Sequence, residues 1–184
     1  QVHRQVVRKA ATARDIQMDP ATRLIAVAVE EPDMDEPSGD FERLKTALLA
    51  STLTDARRIT ADLRVRQMLQ PALRKGKWDV SVALHQPAGS ADAQLLDLWP
   101  GLYDGPLCGL AIDLGSTTVA AHLCDLRDGR VLASGGVMNP QIRFGEDLMS
   151  RVSYAMMNEG GAAEMCAAVR AALRDLAIGV AQEA

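Results

Sequence analysis

Residues 107–138 constrain the fold most, because three short strand patterns follow one another with only tight turns between them. Residues 107–114 are apolar almost throughout, residues 117–125 open on β-branched side chains, and residues 130–138 are entered through Asp128-Gly129. Asp-Gly between strand patterns is a strong short-range hairpin signal. The spacing predicts a three-stranded antiparallel meander.

The first of the two turns carries more chemistry than turning requires. It reads Asp113-Leu114-Gly115-Ser116-Thr117-Thr118. Gly115 removes a side chain where a ligand could approach backbone amides. Ser116, Thr117 and Thr118 add hydroxyl donors beside those amides, a combination suited to phosphate oxygens. Asp113 closes an apolar strand expected to be buried, where an unpaired carboxylate is costly. It is accounted for if it faces a hydrated Mg²⁺ or a reacting water. The same residues also suit a plain hairpin whose Asp and Thr side chains satisfy their own backbone. Just after the third strand, Asn139-Pro140-Gln141 presents two amides able to bond a phosphate, a water or a partner, or else the loop's own backbone.

Two helices are expected to close the chain. The first covers residues 146–157 with Leu148, Val152 and Ala155 or Met156 inward. The second covers residues 162–182 with Met165, Val169, Leu173, Leu176 and Val180 inward. Arg143, Glu146, Asp147 and Arg151 read as helix-start and surface residues, Asp147 being favoured at a helix N-terminus.

The first half reads as a small separate α/β unit. A strand over 23–29 precedes the acidic loop "EEPDMDEPSGD", read as solvated. A helix over 41–51, capped by Ser38 or Asp40, carries Phe41, Leu44, Leu48 and Leu49 on one stripe. A second helix over 62–75 turns Leu63, Met68, Leu69 and Leu73 inward, with a kink or break at Pro71. A strand runs from Trp78 to His85. Residues 86–93 read as a flexible joint, 95–98 as a brief strand, and "WPGLYDGP" as the domain boundary. His85 and His122 read as packed or rim residues.

Composition narrows the function classes. Of 184 residues, 48% are hydrophobic and 3% aromatic, so a core must be built from aliphatic side chains. Net charge is -4, and no basic stripe with interleaved aromatics suggests nucleic acid. No apolar run approaches the ~20 residues of a membrane span. Three cysteines, widely spaced, suit free thiols in a reducing cytoplasm, not a zinc or iron–sulfur site. The chain opens on Gln1 and runs to Ala184 inside an Ala-rich helical pattern, as expected of a piece of a longer protein.

The segment "GLAIDLGSTTVAAHLCDLRDGRVLASGGVMNP" resembles the first phosphate-binding region of the superfamily of actin, heat-shock chaperone ATPases and sugar kinases. With Thr117-Thr118, Asn139-Pro140-Gln141, Gly145-x-Asp147 and Ser150-Arg151, it resembles more closely the reductive activators of corrinoid proteins. That resemblance implies a linker over 1–20, a middle α/β domain over 21–100, and over 107–184 the opening of a ribonuclease H-like (actin-type) ATPase domain. It implies ATP and Mg²⁺, with Asp113 catalytic and Gly115, Ser116, Thr117, Thr118, Asn139 and Gln141 binding the cofactor. It implies a [2Fe-2S] cluster in the parent chain outside these residues, a corrinoid protein of a methyltransferase system as partner, and a cytoplasmic site of action. A homodimer is left open. The parent is expected to be an ATPase-coupled redox activator, with the ATP and Mg²⁺ site incomplete in this piece and the piece inactive by itself. A small-molecule kinase of the same superfamily and a non-enzymatic scaffold are the alternatives.

Overall fold

The computed structural model describes residues 18–184, in two units, Met18–Leu107 and Cys108–Ala184. Of the expected linker over 1–20, residues 1–17 lie outside the described residues. Among the described residues no helix is long and apolar enough to cross a membrane.

In the first unit, strands β1 (Thr22–Ala28), β2 (Arg58–Ala61), β3 (Asp79–His85) and β4 (Asp92–Pro100) form one sheet in the order β1-β3-β4-β2. Strands β1 and β3 and strands β3 and β4 are antiparallel, whereas β2 and β4 are parallel. Helices α1 (Asp40–Ala50) and α2 (Leu63–Lys75) cover one face. Ile25, Val80, Val82, Leu84, Leu95 and Leu98 from the sheet meet Leu44, Leu48, Val65, Leu69 and Leu73 from the helices.

Several sequence expectations are corrected in this unit. The short strand β2 was not anticipated. Residues 86–93 are not an interdomain joint: they form the connection between β3 and β4, turned by Gly89 at φ 73°, and strand β4 runs for nine residues. Helix α2 passes through Pro71 without a break, because that residue and Gln67, whose carbonyl loses its partner, both face solvent. Asp62 caps α2 by accepting the Val65 amide. Gly39, not Ser38 or Asp40, is the residue before α1 and supplies no side-chain cap. Leu63, Met68 and Leu49 are exposed, and Val65 takes the inward position. Trp78 belongs to a turn, with φ 69°, instead of opening β3.

The acidic loop is organised by a cation. Arg43 in α1 is buried and donates to the carbonyls of Ser38, Glu31 and Glu36, while the acidic side chains face water.

The second unit holds the meander, with β5 (Cys108–Leu114), β6 (Thr118–Asp125) and β7 (Val131–Met138) antiparallel in the order β5-β6-β7. Gly129 turns the second hairpin at φ 74°. A 3₁₀ turn (Pro140–Phe144), helix α3 (Leu148–Met157) and helix α4 (Gly161–Glu183) follow. Helix α4 packs on β6 and β7, where Leu176 and Val180 meet Val119 and Ala121. A Cβ on Gly135 would lie 2.9 Å from Leu176, so the bare backbone there lets α4 settle closely.

The burial of β5 is the main correction here. Leu110, Ile112 and Leu114 share the α4 side of the sheet by register, yet they are exposed, Ile112 at 44%. Among the described residues strand β5 lies at the edge of its sheet, and α4 packs on the other two strands, β6 and β7. Leu148, Val152 and Met156 of α3 are also exposed; Arg151 is the residue α3 buries.

Candidate functional site

The turn between β5 and β6 is held from behind by one segment of chain, residues 139–151. The Gly115 amide donates to the Thr118 carbonyl at 3.0 Å, which closes the turn. A Cβ at Gly115 would come 2.7 Å from that same carbonyl oxygen, so the turn in this form needs glycine. The next three carbonyls are each taken by a donor of the segment. Asn139 Nδ2 donates to Gly115 O at 2.9 Å, Arg151 Nη2 to Ser116 O at 2.7 Å, and the Asn139 amide to Thr117 O at 2.8 Å.

That arrangement decides what the turn shows to solvent. Peptide groups whose oxygens point inward carry their N–H groups away from those donors. Among the described residues no acceptor is hydrogen-bonded to the Ser116 or Thr117 amide, and both residues are exposed. Two adjacent amides and two hydroxyls therefore sit at an open edge, the donor chemistry of an anion-binding nest.

The segment behind the turn is itself well fixed. Asn139 is 2% exposed, and its Oδ1 accepts the Gln141 amide at 2.9 Å. Gln141 Nε2 donates to the Met165 carbonyl of α4 at 3.2 Å. Gly145 permits the close approach of α3, since a Cβ there would lie 2.6 Å from Ser150 Cβ and 2.8 Å from the Arg151 amide. Asp147 caps α3 by accepting the Ser150 amide at 2.7 Å. That hydrogen bond holds its carboxyl below the usual range, and the Arg151 charge adds to the effect. Arg151, 5% exposed, also donates from Nε to Gly145 O at 2.9 Å.

The structure thus brings Gly115, Ser116, Thr117, Asn139 and Gln141 into one connected arrangement. Thr118 begins β6, half-buried, and Asp113 sits exposed near the end of β5. An exposed Asp113 removes the burial argument for a metal at that position. Asn139 and Gln141 are engaged with protein atoms. Arg151, read from the sequence as a helix-start and surface residue, is instead buried against the turn. An arginine in an amphipathic helix carries no signal of burial by itself; Gly145 upstream, which lets the helix approach, is the nearest hint. His85 and His122 are bonded to Thr22 and Ser134 at 2.9 and 2.7 Å.

Comparison with known proteins identifies the class as that of reductive activators of corrinoid proteins. A solved reductive activator for corrinoid, iron-sulfur protein matches with a TM-score of 0.76 at 27% identity, over 97% of this chain and 28% of that chain. The family model described as RACo linker region matches residues 11–105, and that described as RACo middle region matches residues 108–184. The chain belongs to the RACo family. The corrinoid activation enzyme RamQ of Eubacterium limosum is 42% identical over 50 residues, 27% of this chain and 8% of that protein. The chain spans less than a third of the length of either relative. Residues 11–105, matched by the linker-region model, include all of the expected middle domain, and residues 108–184, matched by the middle-region model, cover all but the first residue of the expected start of the ATPase domain.

Proposed function

We propose that this chain is part of an ATP-dependent reductive activator that returns Co(II) corrinoid proteins of methyltransferase systems to their active state. Within that protein, the turn at Gly115–Thr118 grips nucleotide phosphate. The observation that supports this reading is the inward capture of three successive carbonyls, which leaves the Ser116 and Thr117 amides open beside their hydroxyls.

ATP, when bound, supplies the free energy that biases the complex with the corrinoid partner. This chain's residues hold and orient it. The Ser116 and Thr117 amides and hydroxyls donate to phosphate oxygens, and Asn139 and Gln141 keep the turn in its donor-out form. Asp113, exposed near the end of β5, is the residue that would hold a hydrated Mg²⁺ beside the phosphates. The residues present fit phosphate in donor chemistry. They do not fit an iron–sulfur cluster: among the described residues no three His, Cys, Asp or Glu side chains are placed to hold a metal. A [2Fe-2S] group of such a protein is held by other residues.

The test uses a protein of the solved relative's length containing this chain, a Co(II) corrinoid protein, Ti(III) citrate as reductant, and MgATP. Loss of the Co(II) absorbance is followed with time. The reading expects ATP to accelerate reduction and Thr117→Val or Asp113→Ala to diminish that acceleration. Equal ATP-dependent rates in wild type and both variants would overturn it.

A further inference from the structure

Arg151 is a buried cation with no paired carboxylate among the described residues. Its two bonded acceptors are the carbonyls of Gly145 and Ser116. Its charged neighbour is Asp147, exposed, with Oδ1 already accepting the Ser150 amide. Burying an arginine without a carboxylate partner is expensive. Tying the turn to the segment behind it does not require a charge, because Asn139 does the same for Gly115 and Thr117 with neutral groups.

The placement of the charge suggests its use. The Ser116 carbonyl belongs to the same peptide group as the Thr117 amide, and the Gly115 carbonyl to the same group as the Ser116 amide. A guanidinium bonded to the oxygen polarises that peptide and strengthens its N–H as a donor. The charge itself stands directly behind the turn, opposite the face where the free amides point.

We propose that Arg151 is a positioning residue and buried counter-charge for an oxyanion of the phosphate class seated on the Ser116 and Thr117 amides. The inference rests on the phosphate reading given above. An anion on the outer face offsets the cost of the buried cation, so the empty turn is poised to accept one.

The experiment titrates the ¹⁵N-labelled 184-residue chain with inorganic phosphate and follows amide resonances. Wild type is expected to show saturable shifts at Ser116 and Thr117, with the Arg151 Nε–H resonance moving at the same midpoint. Arg151→Gln is expected to weaken phosphate by about tenfold or more, the scale of one charge-assisted hydrogen bond. Arg151→Lys, which keeps the charge, is expected to recover most of that loss. Absence of saturable shifts in wild type overturns the phosphate reading and this inference with it. Wild-type shifts with an unchanged midpoint in Arg151→Gln overturn only the role of Arg151. A loss as large in Arg151→Lys as in Arg151→Gln overturns the counter-charge. If Arg151→Gln does not fold, the wild-type Arg151 resonance still decides, since a stationary Nε–H during saturation of the amides contradicts the coupling.

Discussion

Arg151 Nη2 lies 2.7 Å from the Ser116 carbonyl oxygen, across 35 positions of sequence. Helix α3 and the β5–β6 turn are thereby joined by a buried guanidinium. Asn139 makes the parallel connection to Gly115 from the end of β7. Together they turn a hairpin loop into a structure with a fixed inner side and a free outer side.

Asn139→Ala should destabilise the chain by about 1–3 kcal/mol, because it strands the Gly115 carbonyl and the Gln141 amide at a buried position. Urea denaturation measures this. A change under about 0.5 kcal/mol, the usual range for surface substitutions, would show that water replaces the side chain freely.

Two glycines should respond in opposite senses. Gly115→Ala forces a Cβ against the Thr118 carbonyl at 2.7 Å, so the turn must shift, at a cost of about 1–3 kcal/mol. Gly179→Ala lies inside α4 with nothing within 4 Å of the added carbon. It should stabilise by about 0.5–1 kcal/mol through helix propensity. Thermal melts of both variants check the pair, and a stabilising Gly115→Ala would remove the case for a tight turn.

Asp125 gives the chain a pH dependence. It is 1% exposed, and hydrogen bonds from Arg127 lower its pKa from the usual 3.8 to about 2. A depressed carboxylate stabilises the fold above its unfolded pKa and loses that contribution as pH falls toward the folded value. The stabilisation should therefore be complete by about pH 5 and decline between about pH 4 and 2. Asp125→Asn should lower the melting temperature at pH 7 and flatten the acid limb over that window. An unchanged acid limb would assign the acid sensitivity to other groups.

The meander was legible because two turn signals bracket β-patterned runs and because Asp128-Gly129 admits few conformations. Its exposure was not. An apolar run such as "GLAI" reports that a strand prefers to be covered, not how far a helix reaches, and α4 covers β6 and β7 while leaving Ile112 half open. In the first unit, "ADAQLLDLWP" is a poor strand former at its start, and pairing with β3 and β2 overrides that preference. The four-residue strand β2 is too short for periodicity to show. In the site, the turn residues announced themselves by type. Arg151 did not, since its role depends on a contact between segments distant in sequence.

Leu48→Ala should cost about 2–5 kcal/mol in the unit Met18–Leu107, since Leu48 is wholly buried among Leu44 and its neighbours. Amide exchange read residue by residue should show the loss in β1, β3 and β4. It should leave the slowest amides of β6 unchanged, consistent with separate cores. Equal losses in both units would contradict two cooperative bodies.

In the proposed function, phosphate rests on the outer side of the Gly115–Thr118 turn. The most direct measurement is a crystal structure of a protein of the solved relative's length, containing this chain, with Mg²⁺ and a non-hydrolysable ATP analogue. Phosphate oxygens are expected within hydrogen-bond distance of the Ser116 and Thr117 amides, with Arg151 still on the Ser116 carbonyl. A nucleotide bound elsewhere, with those two amides facing only water, would contradict it.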